Sequence, residues 1–177
     1  RNMMKAAAMT KPPEWGFAGS PVVLGNKLLI EGAYTFALDK DSGKEIWRSK
    51  RFRHAYGTPA TFNHKGRTLI ATLKTDGLVI LDAADGSSIA FRKWETSFRT
   101  NSTSPIILPD GKIFLSTGYH RGCALLQLQG NQLETVWENK NLSNHMNNSV
   151  ILGGHIYGFD GNSHMAGPKE LVCLELA

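Results

Sequence analysis

The chain has 177 residues, 41% hydrophobic and 20% charged, with 20 Lys+Arg against 15 Asp+Glu for a formal net charge of +5. That composition excludes the disordered and membrane-spanning classes, and no apolar run approaches the ~18 residues of a transmembrane helix. The surplus of basic residues is spread along the chain rather than gathered on one motif, so nucleic acid is not an expected partner.

Arg1 to Lys11 holds one short Ala/Met stretch, too brief for the apolar core of a signal peptide. Because the chain begins at Arg1 and not at Met, the expectation is a processed or truncated product, with any export signal upstream. Trp15 and Phe17 precede the first strand entry, Ser20-Pro21-Val22-Val23. A turn at Gly25-Asn26 leads to a second strand over Lys27 to Ile30, and a third ends near Leu38. The segment Ala37-Leu38-Asp39-Lys40-Asp41-Ser42-Gly43-Lys44-Glu45-Ile46-Trp47 then reads as a tight hairpin. Asp and Ser bond its backbone, Gly takes the left-handed position, and Trp buries a large flat surface against neighbouring strands. Asp39 and Asp41 are hairpin residues and not a calcium loop, for which the glycine and distal glutamate are missing.

A basic connection, Arg48, Lys50, Arg51, Arg53 and His54, is read as a solvated loop. The strand entry then recurs as Thr58-Pro59-Ala60-Thr61, as Ser104-Pro105-Ile106-Ile107 and as Asn148-Ser149-Val150-Ile151. Second strands follow at Thr68 to Thr72, Lys112 to Ser116 and His155 to Phe159, after turns at Asn63 to Gly66, Pro109 to Gly111 and Gly153-Gly154. Leu38, Leu81, Leu128 and Leu174 lie 43, 47 and 46 residues apart, which matches the ~40 to 50 residue period of propeller blades. The hairpin motif erodes along the chain. Leu81 to Gly86 keeps Asp82 and Gly86 but has Ala90 at the Trp position; the third copy keeps Trp137 and loses the Asp; the fourth stops at Leu174-Glu175-Leu176-Ala177.

The pattern predicts an all-β chain. It forms a β-propeller segment of four four-stranded antiparallel blades at about 18–50, 56–95, 102–139 and 147–177, the last incomplete at its outer strand. That is about half of an eight-bladed ring. Half a ring exposes strand edges, so the expected partners include the remaining blades of a longer chain or a second copy. Cys123 and Cys173 fall in apolar strand runs as small hydrophobes, with no disulfide framework and no zinc spacing.

The segment Ala37 to Trp47 resembles the A-x-D-x-x-T-G-x-x-x-W motif of the quinoprotein (PQQ-like) propeller repeat, with Ser42 in place of Thr. The resemblance extends to two kinds of protein. Quinoprotein alcohol dehydrogenases hold pyrroloquinoline quinone and calcium, whereas PQQ-like propellers without cofactor include the lipoprotein of the Bam outer-membrane assembly complex. Glu14 to Pro21 and Trp137 to Asn141 are most similar to exported bacterial members of the second kind, which implies a periplasmic or otherwise exported protein. WD-repeat signatures are missing. So is the adjacent Cys-Cys pair that the dehydrogenases place against the quinone, and no carboxylate base or calcium-ligand set is recognised. The resemblance therefore implies a non-catalytic scaffold without cofactor, binding a protein, peptide or saccharide. The alternative it implies is a fragment of a PQQ- and calcium-dependent dehydrogenase oxidising an alcohol or sugar.

Blade topology sends the two tight-turn classes to one face and the longer connections to the other. The long-loop rim receives Trp15, His54, Tyr56, Arg99, Asn101, Tyr119, His120, Arg121, His145 and Asn147, together with His164. This collection of aromatic, basic and histidine side chains on a rigid scaffold marks the expected ligand or partner rim. Trp15, His54, Tyr56, Arg99, Asn101, His145 and Asn147 are expected to line the central channel. Asp39, Gly43, Trp47, Asp82, Gly86 and Trp137 are structural. His120 and His164 lack metal-ligand spacing, Asp76-Gly77 and Asp160-Gly161 are turns, and no phosphate loop, nucleophile elbow or Ser-His-Asp set occurs.

Overall fold

The computed structural model describes residues 2–162, 166–167 and 169–176; His164 lies outside them. Alternating apolar residues and turn-forming Gly, Asn and Asp give short strands in consecutive hairpins. The first sheet comprises β1 (Val22–Leu24), β2 (Lys27–Glu31), β3 (Thr35–Asp39) and β4 (Glu45–Arg48). The second has β5 (Ala60–His64), β6 (Arg67–Lys74), β7 (Gly77–Asp82) and β8 (Ser88–Lys93). The third has β9 (Ile106–Ile107), β10 (Lys112–Thr117), β11 (Gly122–Gln129) and β12 (Gln132–Asn139), and the fourth β13 (Val150–Leu152), β14 (His155–Phe159) and β15 (Leu171–Glu175). Each sheet runs in chain order and is antiparallel throughout. The chain is a partial β-propeller of four blades, the fourth showing three strands among the described residues.

Because side chains alternate across a strand, each blade has two apolar faces and stacks between its neighbours. Leu29, Ala37 and Trp47 of the first sheet pack on Ile70, Val79 and Leu81 of the second. Leu73, Leu78, Ile80 and Trp94 on its other face meet Ile113, Leu115 and Leu126 of the third. Phe114 and Leu125 then meet Ile156 of the fourth, with Val172 and Leu174 partly buried against them. The outer face of the first sheet, Phe36 and Leu38, is covered by Ala7 and the short helix α1 (Met3–Ala6). The corresponding face of the fourth sheet is open: Val150, Leu152, Phe159 and Leu171 are each more than half exposed.

The hairpin motif turns out to be a clasp between blades. Asp39 accepts hydrogen bonds from the Ser42 amide (2.8 Å) and hydroxyl (2.6 Å), and Gly43 closes the turn at φ +69°. Those donors hold the Asp39 carboxyl below its usual range. In the second blade Asp82 accepts from the Ala84 amide at 2.8 Å. The Trp47 indole N–H reaches across to the Ala83 carbonyl at 3.2 Å, and the Trp137 N–H reaches the Leu176 carbonyl at 3.3 Å, the same position of the following blade. Gly86, at φ +75°, lets the Trp47 ring lie flat: a Cβ there would sit 2.5 Å from ring carbon Cε3.

The second blade, with Ala90 at the clasp position, buries Trp94 instead near the end of its outer strand. The Trp94 indole N–H donates to the Thr117 hydroxyl at 2.7 Å, and the Arg121 guanidinium stacks on its ring at 3.5 Å. Between the first two blades Lys74 and Glu31 form an ion pair with side chains 1% and 5% exposed, and the Thr35 hydroxyl donates to the same carboxylate at 2.8 Å.

Candidate functional site

Around the propeller axis the strand entries form a relay. The Ser20 amide donates to the Thr58 hydroxyl (3.0 Å), the Thr58 amide to the Ser104 hydroxyl (2.9 Å) and the Ser104 amide to the Asn148 side-chain oxygen (2.9 Å). The Ser/Thr-Pro entries in the sequence therefore have a physical purpose, since each side chain satisfies the preceding blade's backbone. The backbones approach closely enough that a Cβ on Gly57 would overlap the Thr103 carbonyl oxygen.

Two residues before each relay position stand Ala18, Tyr56, Ser102 and Met146, and all four line one cavity of about 390 Å³ at the long-loop end of the axis. Trp15, Thr100, Tyr119 and His145 complete its wall. The cavity thus takes one equivalent residue from each of the four blades and lies where the mouth of a central channel would be in a closed ring.

The mouth is aromatic and held in place. The Tyr119 hydroxyl and His145 Nε2 lie 3.1 Å apart, their rings in edge contact at 5.0 Å, and Phe98 packs against Tyr119 in a tilted contact at 4.8 Å. The Asn162 side-chain oxygen accepts the Tyr119 amide at 2.6 Å. The Thr96 hydroxyl donates to the Thr100 carbonyl and accepts its amide, fixing the loop that carries Phe98 and Arg99. Arg99, Tyr119 and His120 all have positive φ (55°, 61° and 52°), a conformation that non-glycine residues hold only where their surroundings impose it. Burial pushes the Tyr56 hydroxyl up, partly offset by a hydrogen bond from the Trp15 backbone.

The ten rim residues named from the sequence divide as follows. Trp15, Tyr56, Tyr119 and His145 share the channel mouth. Asn147 joins His145, Met146, Asp160 and Lys169 around an adjoining cavity of about 280 Å³. His54 lies in a separate pocket with Arg53 and Asp76, in edge contact with Tyr56 at 5.8 Å; burial and the Lys74 ammonium lower its pKa. Asn101 is fully buried, its amide donating to the carbonyls of Lys74 (2.8 Å), Thr75 (3.3 Å) and Trp94 (3.1 Å), so it fixes the loop beneath the mouth. Arg121 lies on Trp94 and bonds Glu138 at 2.8 Å, while Arg99 and His120 are exposed beside mouth residues. Ala18, Thr100, Ser102 and Met146 were not singled out from the sequence. For Ala18, Ser102 and Met146 the signal available was the constant offset from the relay positions that they share with Tyr56, hidden because these side chains share no chemistry; Thr100 carried no such signal.

Among the described residues no group of three or more His, Cys, Asp or Glu side chains is placed to hold a metal ion, and no helix is long and apolar enough to cross a membrane.

The family of the outer membrane protein assembly factor BamB matches residues 9–177. No curated protein matches the sequence. Among solved structures, BamB from Moraxella catarrhalis aligns with a TM-score of 0.64 at 18% identity, covering 94% of this chain and 53% of that one. A Bacteroides caccae protein of unknown function aligns at 0.52 with 13% identity, covering 89% and 63%. The quinohemoprotein alcohol dehydrogenase ADHIIG of Pseudomonas putida HK5 aligns at 0.50 with 11% identity, covering 88% and 30%. At these identities the likeness is one of fold. The chain spans about half the length of the Moraxella protein.

Proposed function

Because the chain belongs to the family of the outer membrane protein assembly factor BamB, we propose that it is a non-catalytic propeller scaffold. On this reading it binds a protein, peptide or saccharide at the mouth of its central channel, in an exported, envelope-facing setting. The observation that carries this reading is the convergence of Ala18, Tyr56, Ser102 and Met146, one from each blade, on a single aromatic-walled cavity. A site to which all four blades contribute is held by their stacking, and rigid concave sites with few polar groups are where ligands bind. The family carries the name of an assembly factor, which fits a protein partner. The open apolar face of the fourth sheet is suited to a further blade, from the same chain or a second copy, stacking as the first four do.

Hydrogen exchange of the full protein with and without candidate ligands tests this. Protection is expected at residues 15–18, 98–102, 119–120 and 145–147, and protection confined to the tight-turn face would refute the assignment. The dehydrogenase alternative is tested in parallel: adding pyrroloquinoline quinone and calcium should give neither a bound quinone absorbance nor dye-linked alcohol oxidation. Turnover would overturn the scaffold reading.

A further inference from the structure

Asp76, Asp85, Asp110 and Asp160 are each followed by glycine, and no asparagine is. An aspartyl carboxyl can close on the amide of a following glycine, because glycine has no Cβ to obstruct the approach. Asp76, Asp85 and Asp160 are held on both sides of that reaction. Asp76 is paired with Arg53, and Gly77 lies inside β7, opposite Lys74 and Lys93 of the flanking strands. The Asp85 carboxylate accepts the Ser87 amide at 2.8 Å, and the Gly86 amide donates to the Asp82 carbonyl at 2.9 Å. The Asp160 carboxylate accepts the Ser143 amide at 2.6 Å, and the Gly161 amide donates to the Ser143 carbonyl at 3.2 Å.

Asp110 differs. It is exposed in the turn joining β9 to β10, and among the described residues its carboxylate has no hydrogen-bond or ion-pair partner. It is held at φ 60° and ψ 24°, the left-handed region that a β-carbon disfavours. The strand leading into the turn, β9, is only 2 residues long, and short exposed elements of this kind open locally at small cost. The Gln127 side-chain amide donates to the Asp110 carbonyl. That bond draws electron density from the peptide unit and so acidifies the Gly111 N–H. The His64 ring packs against Gly111, where a Cβ would lie 2.5 Å from Nδ1. Only glycine fits, so the amide beside Asp110 stays unhindered.

We infer that Asp110 is a site of spontaneous isomerisation to isoaspartate, a covalent modification that needs no partner protein. The Gly111 nitrogen bonds to Asp110 Cγ, and the carboxyl hydroxyl leaves with the amide proton as water, giving a succinimide ring. Water then adds at the Asp110 main-chain carbonyl. The bond from that carbon to the Gly111 nitrogen breaks, and Gly111 remains joined through Cγ. No oxidant or metal enters, and the mass of the protein is unchanged. The product carries one extra main-chain carbon inside a tight turn. It therefore disrupts the bond from the Leu108 amide to the Lys112 carbonyl, now 2.9 Å.

The test incubates the folded full protein for weeks at mildly acidic pH and locates isoaspartate with an isoaspartyl methyltransferase and peptide mapping. Isoaspartate is expected at position 110 about tenfold faster than at 76, 85 or 160, a barrier difference of about 1.4 kcal/mol. In urea the same positions should react at similar rates, because the fold sets the difference. Asp110→Glu, whose extra methylene enlarges and disfavours the ring, should lose the methyltransferase signal at this turn while keeping the charge. In the modified protein the Leu108 amide should exchange faster. Equal rates in the folded protein overturn the inference, as does a preference for position 110 that persists in urea. A methyltransferase signal at this turn in Asp110→Glu also overturns it, and unchanged Leu108 exchange overturns the disruption of the turn.

Discussion

The clasp between Trp47 and Gly86 provides a sharp test of how the repeat motif stabilises the fold. Trp47 is 8% exposed and bonds the Ala83 carbonyl of the next blade at 3.2 Å. Truncating it to Ala removes a buried aromatic and leaves a cavity between blades, a loss of about 3–5 kcal/mol. Gly86→Ala acts through two separable effects. A non-glycine residue at φ +75° costs about 1–2 kcal/mol wherever it stands. The new Cβ, 2.5 Å from Cε3 and 2.9 Å from Cζ3 of Trp47, also forces the ring aside, an overpacking cost of about 1–3 kcal/mol. In a Trp47→Ala background the ring is gone and only the backbone cost remains. The double variant should therefore be less destabilised than the sum of the two single ones by about 1–3 kcal/mol. Urea unfolding followed by circular dichroism of all four proteins measures that coupling. Additivity to within about 0.5 kcal/mol would refute the clasp and leave Gly86 as a turn residue only.

Other outcomes follow from the same structure. Lys74→Met strands the buried Glu31 carboxylate and should destabilise the protein by about 3–5 kcal/mol, whereas Lys74→Met combined with Glu31→Leu should recover most of that loss. Thr58→Val removes the acceptor of the exposed Ser20 amide at nearly constant volume; a loss of about 0.5–1.5 kcal/mol is expected, with faster exchange of that amide. Burial pushes the Cys123 thiol up to about 12, so a thiol reagent at pH 8 should label exposed Cys173 at once and Cys123 only on unfolding. The His54 pKa is depressed below its ordinary 6.5, so the unfolded chain binds its proton first as pH falls. The stability His54 contributes is present above pH ~6.5 and lost on acidification through its folded pKa. A His54→Gln variant should therefore show a shallower loss of stability between about pH 6.5 and 5, and an unchanged slope would refute the assignment.

The strands, their order and the blade period were legible from the sequence because they depend on local physics. Alternation of apolar residues, Gly and Asn at turns, and the Asp39-Ser42-Gly43 hairpin fix each element within a few residues of itself. The motif even identified Trp47 as buried, and Trp137 as a residue packed against its neighbours, where it is half-buried. It could not show that each tryptophan serves the following blade, since Ala83 lies 36 residues and Leu176 lies 39 residues further along the chain. That Trp94 supplies the buried indole of the second blade was equally hidden, because it lies just past the end of β8 whereas the motif position, Ala90, lies within it.

The site divides in the same way. Topology alone assigned the long loops to one rim, and four of the ten residues it singled out, Trp15, Tyr56, Tyr119 and His145, share the channel mouth. Whether a polar loop side chain faces a ligand or the backbone beneath it depends on contacts made across blades. Asn101 illustrates this, with three carbonyls from two other segments consuming its amide, as does Arg121, spread over Trp94. The sequence by itself determined a repeating unit and the end of it that carries the long loops, because hydrogen-bonded hairpins and side-chain alternation are short-range. Only the tertiary structure decided which residues meet at the axis, because the cavity there is formed by one residue from each of four blades, brought together by the curvature of the stack.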